Sequence, residues 1–323
     1  MQVLKSQRNY AFDMIKCIAA FLVVCIHYAP KYNLFDAYLN AICRIAVPLF
    51  FIITGYYYEN RVASGKVKQY VQRIAWLTFY ASLFYLIAFS IEHYFDGNLI
   101  QWLRHIFCLK NLCKWFICND YPVVSHLWYL YALIYSVAFN VVVDKLKLTK
   151  FLPYLCVGLL FLHCVLNVKF SGIYLRNWMF MGVPFLIVGR ILNQIKEFIY
   201  KINLSAITIV IILFISLLLL YLEMMILPYR DFYASIIPLV LTISMLAIRY
   251  PLFGEDSFVA RIGKEYSSDL YLYHVFIGGI IISCINNNSV CIWYLRPVVI
   301  TVLTTIFSFI ITLVKRNYVI FKR

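Results

Sequence analysis

The sequence predicts an all-α integral membrane protein, a bundle of about ten transmembrane helices with both termini in the cytoplasm. Three observations lead there. Of 323 residues, 64% are hydrophobic and 13% charged, with a mean hydropathy of +0.82. A soluble domain averages about 45–50% apolar and about 25% charged, and no single water-soluble core hides that much apolar surface. Apolar runs near bilayer length recur along the whole chain, and the loops between them alternate in basic content.

The runs fall at 11–29, 40–58, 73–91, 125–143, 151–167, 178–193, 204–222, 233–249, 269–285 and 293–314. Each is read as a helix, because an open sheet edge has no hydrogen-bond partner in lipid. The first reads as a span rather than a cleavable leader: it is too long and lacks a small-residue cleavage site. No internal repeat or low-complexity linker divides the chain, so residues 1–323 read as one domain. One set of loops holds Lys5, Arg8, Arg61, Lys66, Lys68, Arg73, Lys145, Lys147, Lys150, Arg190, Lys196, Lys201, Arg249, Arg261, Lys264, Lys315, Arg316, Lys322 and Arg323. The opposite set holds Lys31, Arg104, Lys110, Lys114, Lys169, Arg176, Arg230 and Arg296. Nineteen basic residues against eight place the first set, and both ends, inside, with an even number of spans. The formal charge of +15 is explained the same way and calls for no nucleic acid.

The longest non-spanning piece, 92–122, falls outside. Its Trp102, Ile106 and Leu109 share a helical face, which fits a helix lying in the interface. Cys108, Cys113 and Cys118 recur at intervals of five, which is not a zinc spacing. A disulfide between two of them and three free thiols both fit. No metal-ligand cluster, phosphate loop or hydrolase elbow is present.

The first span carries the chemistry. Asp13 and Lys16 are three apart on one helix face and can pair. His27 follows eleven residues after Lys16, about 16 Å along the axis and three turns on, so it returns to nearly the same face. Ionisable residues within a membrane are functional candidates by default, although Lys16 snorkelling to the interface is the plainer alternative. The second span opens on Arg44, followed by Pro48, which frees a backbone carbonyl, and Gly55, which permits close packing.

Taken together these stretches resemble the membrane acyltransferase-3 family. The resemblance begins with Asp13-x-x-Lys16, ten residues and His27. It continues with Arg44, Val47-Pro48-Leu49-Phe50-Phe51 and Thr54-Gly55-Tyr56, then His126-Leu127-Trp128-Tyr129-Leu130. Arg176-Asn177 with Pro184-Phe185 and Gly189, and Ser268-Asp269-Leu270-Tyr271-Leu272-Tyr273-His274, complete it in order across nearly the whole chain. The flavour is that of the branch holding the enterobacterial common antigen O-acetyltransferase and the membrane half of vancomycin-resistance serine racemases. The family usually has Arg at the place of Lys16, Ser at Asp269 and Trp at Tyr273; Lys is a point charge without the bidentate fork of Arg.

The resemblance implies transfer of an acyl group, typically acetyl from cytosolic acetyl-CoA, to a hydroxyl of a surface polysaccharide or lipid-linked glycan at a bacterial plasma membrane. It implies His27 as base or acyl carrier, Lys16 and Asp13 on the donor side, and Arg44 as the oxyanion's partner. It also implies substrate-binding roles for His126, Trp128, Arg176, Asn177, Tyr271 and His274. Arg190, Arg261 and Lys264 read first as positive-inside charges and second as contacts for CoA phosphates. His93, His105 and His163 read as structural. A multi-pass transporter or flippase without acyl transfer, and a membrane module that recruits a partner, are the rival readings.

Overall fold

A computed structural model describes residues 8–30, 32–170, 172–202, 205–284 and 290–320, and among these every regular element is helical. In chain order the α-helices are α1 (Tyr10–Tyr28), α2 (Leu34–Cys43), α3 (Ala46–Ala63), α4 (Val67–Phe95), α5 (Leu99–Ile106), α6 (Leu109–Cys118), α7 (Trp128–Lys145) and α8 (Leu152–Asn167). They continue with α9 (Val183–Gln194), α10 (Lys196–Lys201), α11 (Ala206–Ile226), α12 (Ile236–Arg249), α13 (Phe258–Glu265), α14 (Ser267–Cys284) and α15 (Val290–Ile320). A short tight turn, Ser125–Leu127, leads into α7, and a π-turn, Trp178–Gly182, leads into α9.

Among the described residues seven stretches are long and apolar enough to cross a membrane: Tyr10–Tyr28, Leu34–Ala63, Val67–Phe95, Ser125–Lys145, Thr149–Asn167, Ala206–Ile226 and Trp293–Val314. The other three runs named from the sequence contain shorter helices: α9 of 12 residues, α12 of 14 and α14 of 18. Lys5, Lys31, Lys322 and Arg323, and with them both chain ends, lie outside the described residues, as do the side chains of Lys315 and Arg316. The outward faces confirm the solvent. Ile207, Val210 and Phe214 of α11, and separately Val157 and Phe161 of α8, are each at least 63% exposed, so each helix presents apolar side chains suited to lipid rather than water.

Helix ends follow from local chemistry. Asn9, Asn33, Ser205 and Ser257 each accept a hydrogen bond from a backbone N–H in the first turn of α1, α2, α11 and α13. The long apolar stretch 34–63 is broken between α2 and α3 at Arg44 and Ile45. Pro48 has no N–H for the carbonyl of Arg44, and its ring crowds that carbonyl, so the chain tightens there into bonds from Arg44 to Ala41 and Ile45 to Ile42. The segment 92–122 departs from the expected single interfacial helix. It makes two short helices, α5 and α6, and because α5 ends at Phe107, Ile106 is buried while Leu109 is 78% exposed. Cys108, Cys113 and Cys118 are free thiols.

The chain forms two compact units, each discontinuous in sequence. The first comprises Met1–Phe50, Lys196–Tyr229 and Tyr233–Arg323. Here α1 runs beside α13 and α14. A Cβ at Gly263 would overlap the backbone of Asp13, and one at Gly278, fifteen residues on, would overlap the ring of Tyr28, also fifteen residues on. Equal steps in the same direction make α1 run parallel to α13 and α14; at Gly263 glycine allows the backbones close approach, and at Gly278 it leaves room for the Tyr28 ring. Val24, Ile281 and Ile300 join α1, α14 and α15. Glu223, a carboxylate near the end of an apolar helix, accepts from Ala234 N (2.7 Å), Ser235 N (2.9 Å) and Ser235 Oγ (2.6 Å), so it caps the start of α12.

The second unit comprises Phe51–Ile195 with Arg230–Phe232. Gly55 of α3 sits on the carbonyl of Leu186, and Gly189 of α9 on that of Ile52, so neither position has room for a Cβ. One end of this unit is closed by Arg190, which is 3% exposed. Its Nε donates to Glu59 Oε1 (2.5 Å), Nη1 to Asn140 Oδ1 (2.9 Å) and Nη2 to Asp144 Oδ1 (2.8 Å). Tyr58 donates to the other oxygen of Asp144 (2.7 Å) and lies under the guanidinium. Arg190 is therefore neither a loop charge nor a phosphate contact, as the sequence had it, because its fork is spent on α3 and α7. His163 is likewise interior, stacked 4.2 Å from Phe232. Arg190→Met should cost about 3 kcal/mol or more of stability by leaving two carboxylates without their counter-charge. Thermal unfolding in lipid nanodiscs checks this; an unchanged midpoint would mean that water already solvates the network.

Candidate active site

In the first unit the polar stripe of α1 begins at a two-sided ion pair. Asp13, 5% exposed, accepts from Lys16 Nζ at 2.9 Å on one oxygen and from Arg8 Nε at 2.7 Å on the other. A carboxylate in the first turn also meets the positive end of the helix dipole. The start of α1 is pinned from outside: Asn9 Nδ2 donates to the carbonyl of Ala247 (2.9 Å) and Tyr10 N to that of Pro251 (2.7 Å). Lys16 is thus held by its partner but remains partly accessible, its side chain 25% exposed.

The other end of the stripe brings two histidines together. The ring of His27 lies 5.3 Å from that of His274 on α14, tilted by 43°. His27 is exposed, whereas His274 is fully buried. Nδ1 of His274 meets the carbonyls of Tyr271 (2.8 Å) and Leu270 (3.1 Å). A carbonyl only accepts, so Nδ1 carries the proton and, in the neutral ring, Nε2 carries the lone pair. Tyr28 closes edge-on against His274 at 6.3 Å, and the ring of Tyr271 lies 6.2 Å away. The chemical capacity is that of an approachable imidazole over one whose tautomer is fixed: proton exchange with a ligand, or uptake of an acyl group.

Arg44 occupies the break between α2 and α3, where its guanidinium Nη2 donates to Asn40 Oδ1 (3.1 Å) beside the carbonyl-rich end of α2. Asp36 on the same helix was not singled out by sequence reasoning. It is 2% exposed and accepts from Tyr32 N (3.0 Å) and the Tyr294 hydroxyl (3.0 Å). In the sequence it falls between the apolar runs 11–29 and 40–58, where a carboxylate reads as an ordinary loop residue.

The second unit holds the remaining residues at the end away from Arg190. His126, 3% exposed, stacks edge-on against Tyr85 at 4.9 Å. Trp128 opens α7, and Arg176 lies over its ring at 5.6 Å. Asn177 is a cap: its Oδ1 accepts from Met179 N (2.9 Å) and Phe180 N (3.1 Å), and its Nδ2 donates to the Tyr174 carbonyl (2.8 Å). Arg176 faces Asp120 at 4.0 Å. Burial pushes the Asp120 carboxyl up from its ordinary range, against the opposing pull of Arg176 and Lys114. Asn119 and Asp120 were not singled out from the sequence, where they fall at the end of the non-spanning piece 92–122.

The chain matches the family model described as an acyltransferase domain over residues 9–314. No curated protein and no solved structure matches it.

The cap at Asn177 is measurable separately from any binding role. Asn177→Ala should lower stability by about 1–2 kcal/mol, and Asn177→Ser, which still offers an oxygen, should recover most of it. Thermal unfolding of the purified variants decides; equal midpoints for wild type and Asn177→Ala would refute the capping role.

Proposed function

The chain belongs to the membrane acyltransferase-3 family, and on that premise we propose that it moves an acetyl group from cytosolic acetyl-CoA to a hydroxyl of an extracytoplasmic surface glycan or its lipid-linked precursor. The protein is a multi-pass membrane acyltransferase. The proposal adds that it acts in a bacterial plasma membrane as a single transmembrane domain of ten spans with both termini inside. It also adds membership of the O-acetyltransferase branch resembled by the sequence.

The observation that carries the reading is the exposed His27 ring packed on the buried ring of His274. It stands at the far end of the stripe that starts with Asp13 and Lys16. CoA is anionic and does not cross hydrocarbon. Its nucleotide end is proposed to meet Lys16 and the basic loops, with the thin pantetheine arm reaching toward His27. An alcohol needs a base to attack a thioester at neutral pH. In direct transfer, His27 takes the hydroxyl proton as the oxygen bonds to the carbonyl carbon. The tetrahedral oxyanion is met by Arg44. Collapse breaks the carbon–sulfur bond, and the departing thiolate recovers the proton from His27. In the alternative, the His27 nitrogen takes the acyl group first, CoA leaves as the thiol, and the acceptor hydroxyl then removes the acyl and returns a proton. His274, with Nδ1 tied to its own helix, positions His27 in either route. Tyr271, His126, Trp128, Arg176 and Asn177 are assigned to the substrates. No step calls for a metal.

Proton NMR of purified surface glycan tests this in a deletion strain that carries wild type or equally expressed His27→Ala. O-acetyl signals should return with wild type and stay at least about a hundredfold lower with His27→Ala, the scale of losing general-base catalysis. Equal restoration by both would remove His27 from the chemistry. No acyl change in either strain would favour a transporter.

A further inference from the structure

We propose that Asn119, Asp120 and Arg176 form a subsite for a hydroxyl of a neutral carbohydrate, with Trp128 as its wall. The cluster sits where α6 ends. Asn119 adopts a left-handed conformation (φ 64°) that reverses the chain, and it is fully buried. Its Oδ1 accepts from Trp178 N at 3.0 Å, which ties it to the turn carrying Arg176.

Three polar atoms in this cluster are buried without a hydrogen-bond partner: Asn119 Nδ2, Asp120 Oδ1 and Arg176 Nε. Arg176 Nη2 and Asp120 Oδ1 stand 4.0 Å apart, close enough for attraction but too far for a hydrogen bond. A buried polar group left without a partner has lost its water for nothing, which is costly. Three at one place mark a site completed by something else.

The donor set says what completes it. The cluster offers two N–H donors and one carboxylate acceptor. A hydroxyl is both donor and acceptor. Its hydrogen serves Asp120 and its oxygen serves Arg176 or Asn119. An ammonium satisfies only Asp120 and meets the like charge of Arg176. A carboxylate satisfies only the donors and meets Asp120. The subsite therefore selects neutral polyhydroxylated ligands over amino sugars and uronic acids. The Trp128 ring beneath Arg176 supplies the apolar face that sugar C–H groups favour.

The position fits an outward-facing acceptor. Asp144 stands sixteen residues after Trp128 on α7, about 24 Å away along the helix. The Asp144 end is followed by Lys145, Lys147 and Lys150, the basic side that faces the cytoplasm. This inference deepens the acyl-transfer reading by naming the acceptor's chemistry, and it rests on that reading for the role of the bound sugar.

Binding is measured without acetyl-CoA, by tryptophan fluorescence of the full chain in phosphatidylcholine–phosphatidylglycerol nanodiscs free of glycosidic detergent. Methyl glucoside and N-acetylglucosamine should bind at least about tenfold more tightly than glucosamine or glucuronate, the size of one missing hydrogen bond. Asp120→Asn, which is isosteric, and Arg176→Lys, which keeps the charge but loses Nε, should each weaken that binding about tenfold or more. Melting midpoints near the wild-type value confirm that both variants fold. Arg104→Gln, on an exposed face of α5, should bind as wild type. Octyl glucoside in the bilayer, set against methyl glucoside in solution, separates a lipid-linked sugar from a free one; stronger binding of either supports the subsite. Equal binding of neutral and charged sugars, no sugar binding, or wild-type binding by both variants would overturn it. None of those results bears on the O-acetyl signal of His27→Ala, so failure here and failure of acyl transfer are told apart.

Discussion

A charge inside hydrocarbon must meet its partner within the protein, and Arg190 is where this chain obeys that constraint most fully. Its guanidinium binds one residue of α3 and two of α7 from its own place on α9. Low dielectric makes such bonds strong and makes their loss costly. The bonds fix one end of the second unit. Gly55 and Gly189 then bring α3 and α9 to backbone contact, where a larger residue would force the helices apart and pull Glu59 off the arginine. Packing and electrostatics here are one requirement seen twice.

The same constraint accounts for several other buried polar groups. Asp13 is held between Arg8 and Lys16, Glu223 caps α12, Asp36 takes a backbone N–H and a tyrosine hydroxyl, and Asn177 caps the π-turn into α9. Glu223 and Asn177 serve helix ends, which explains polar residues at apolar runs without any ligand.

Function is sought where satisfaction stops. His27 stands exposed over a buried histidine whose own proton is fixed by its helix. At the start of α7, three buried polar atoms near Arg176 end without a bond. The first arrangement offers a base; the second offers recognition. Each lies within one unit.

The sequence by itself determined the solvent, the helical class, the family and the stripe of Asp13, Lys16 and His27. Composition fixes the medium, helical periodicity fixes which residues share a face, and neither needs a neighbour. The break at Arg44 was also legible in principle, since Pro48 acts on its own helix. Only the tertiary structure decided what crosses between helices. The packing of His274 on His27 depends on α14 lying against α1, where Gly278 leaves room for the ring of Tyr28, and spacing along one chain carries no record of that. The meeting of Asn119 and Asp120 with Arg176 spans some 57 residues of sequence and is set by a chain reversal at one left-handed residue. The fate of Arg190 was misread for the same reason: whether a basic residue faces a loop, a phosphate or a buried carboxylate is settled by the helix packed against it.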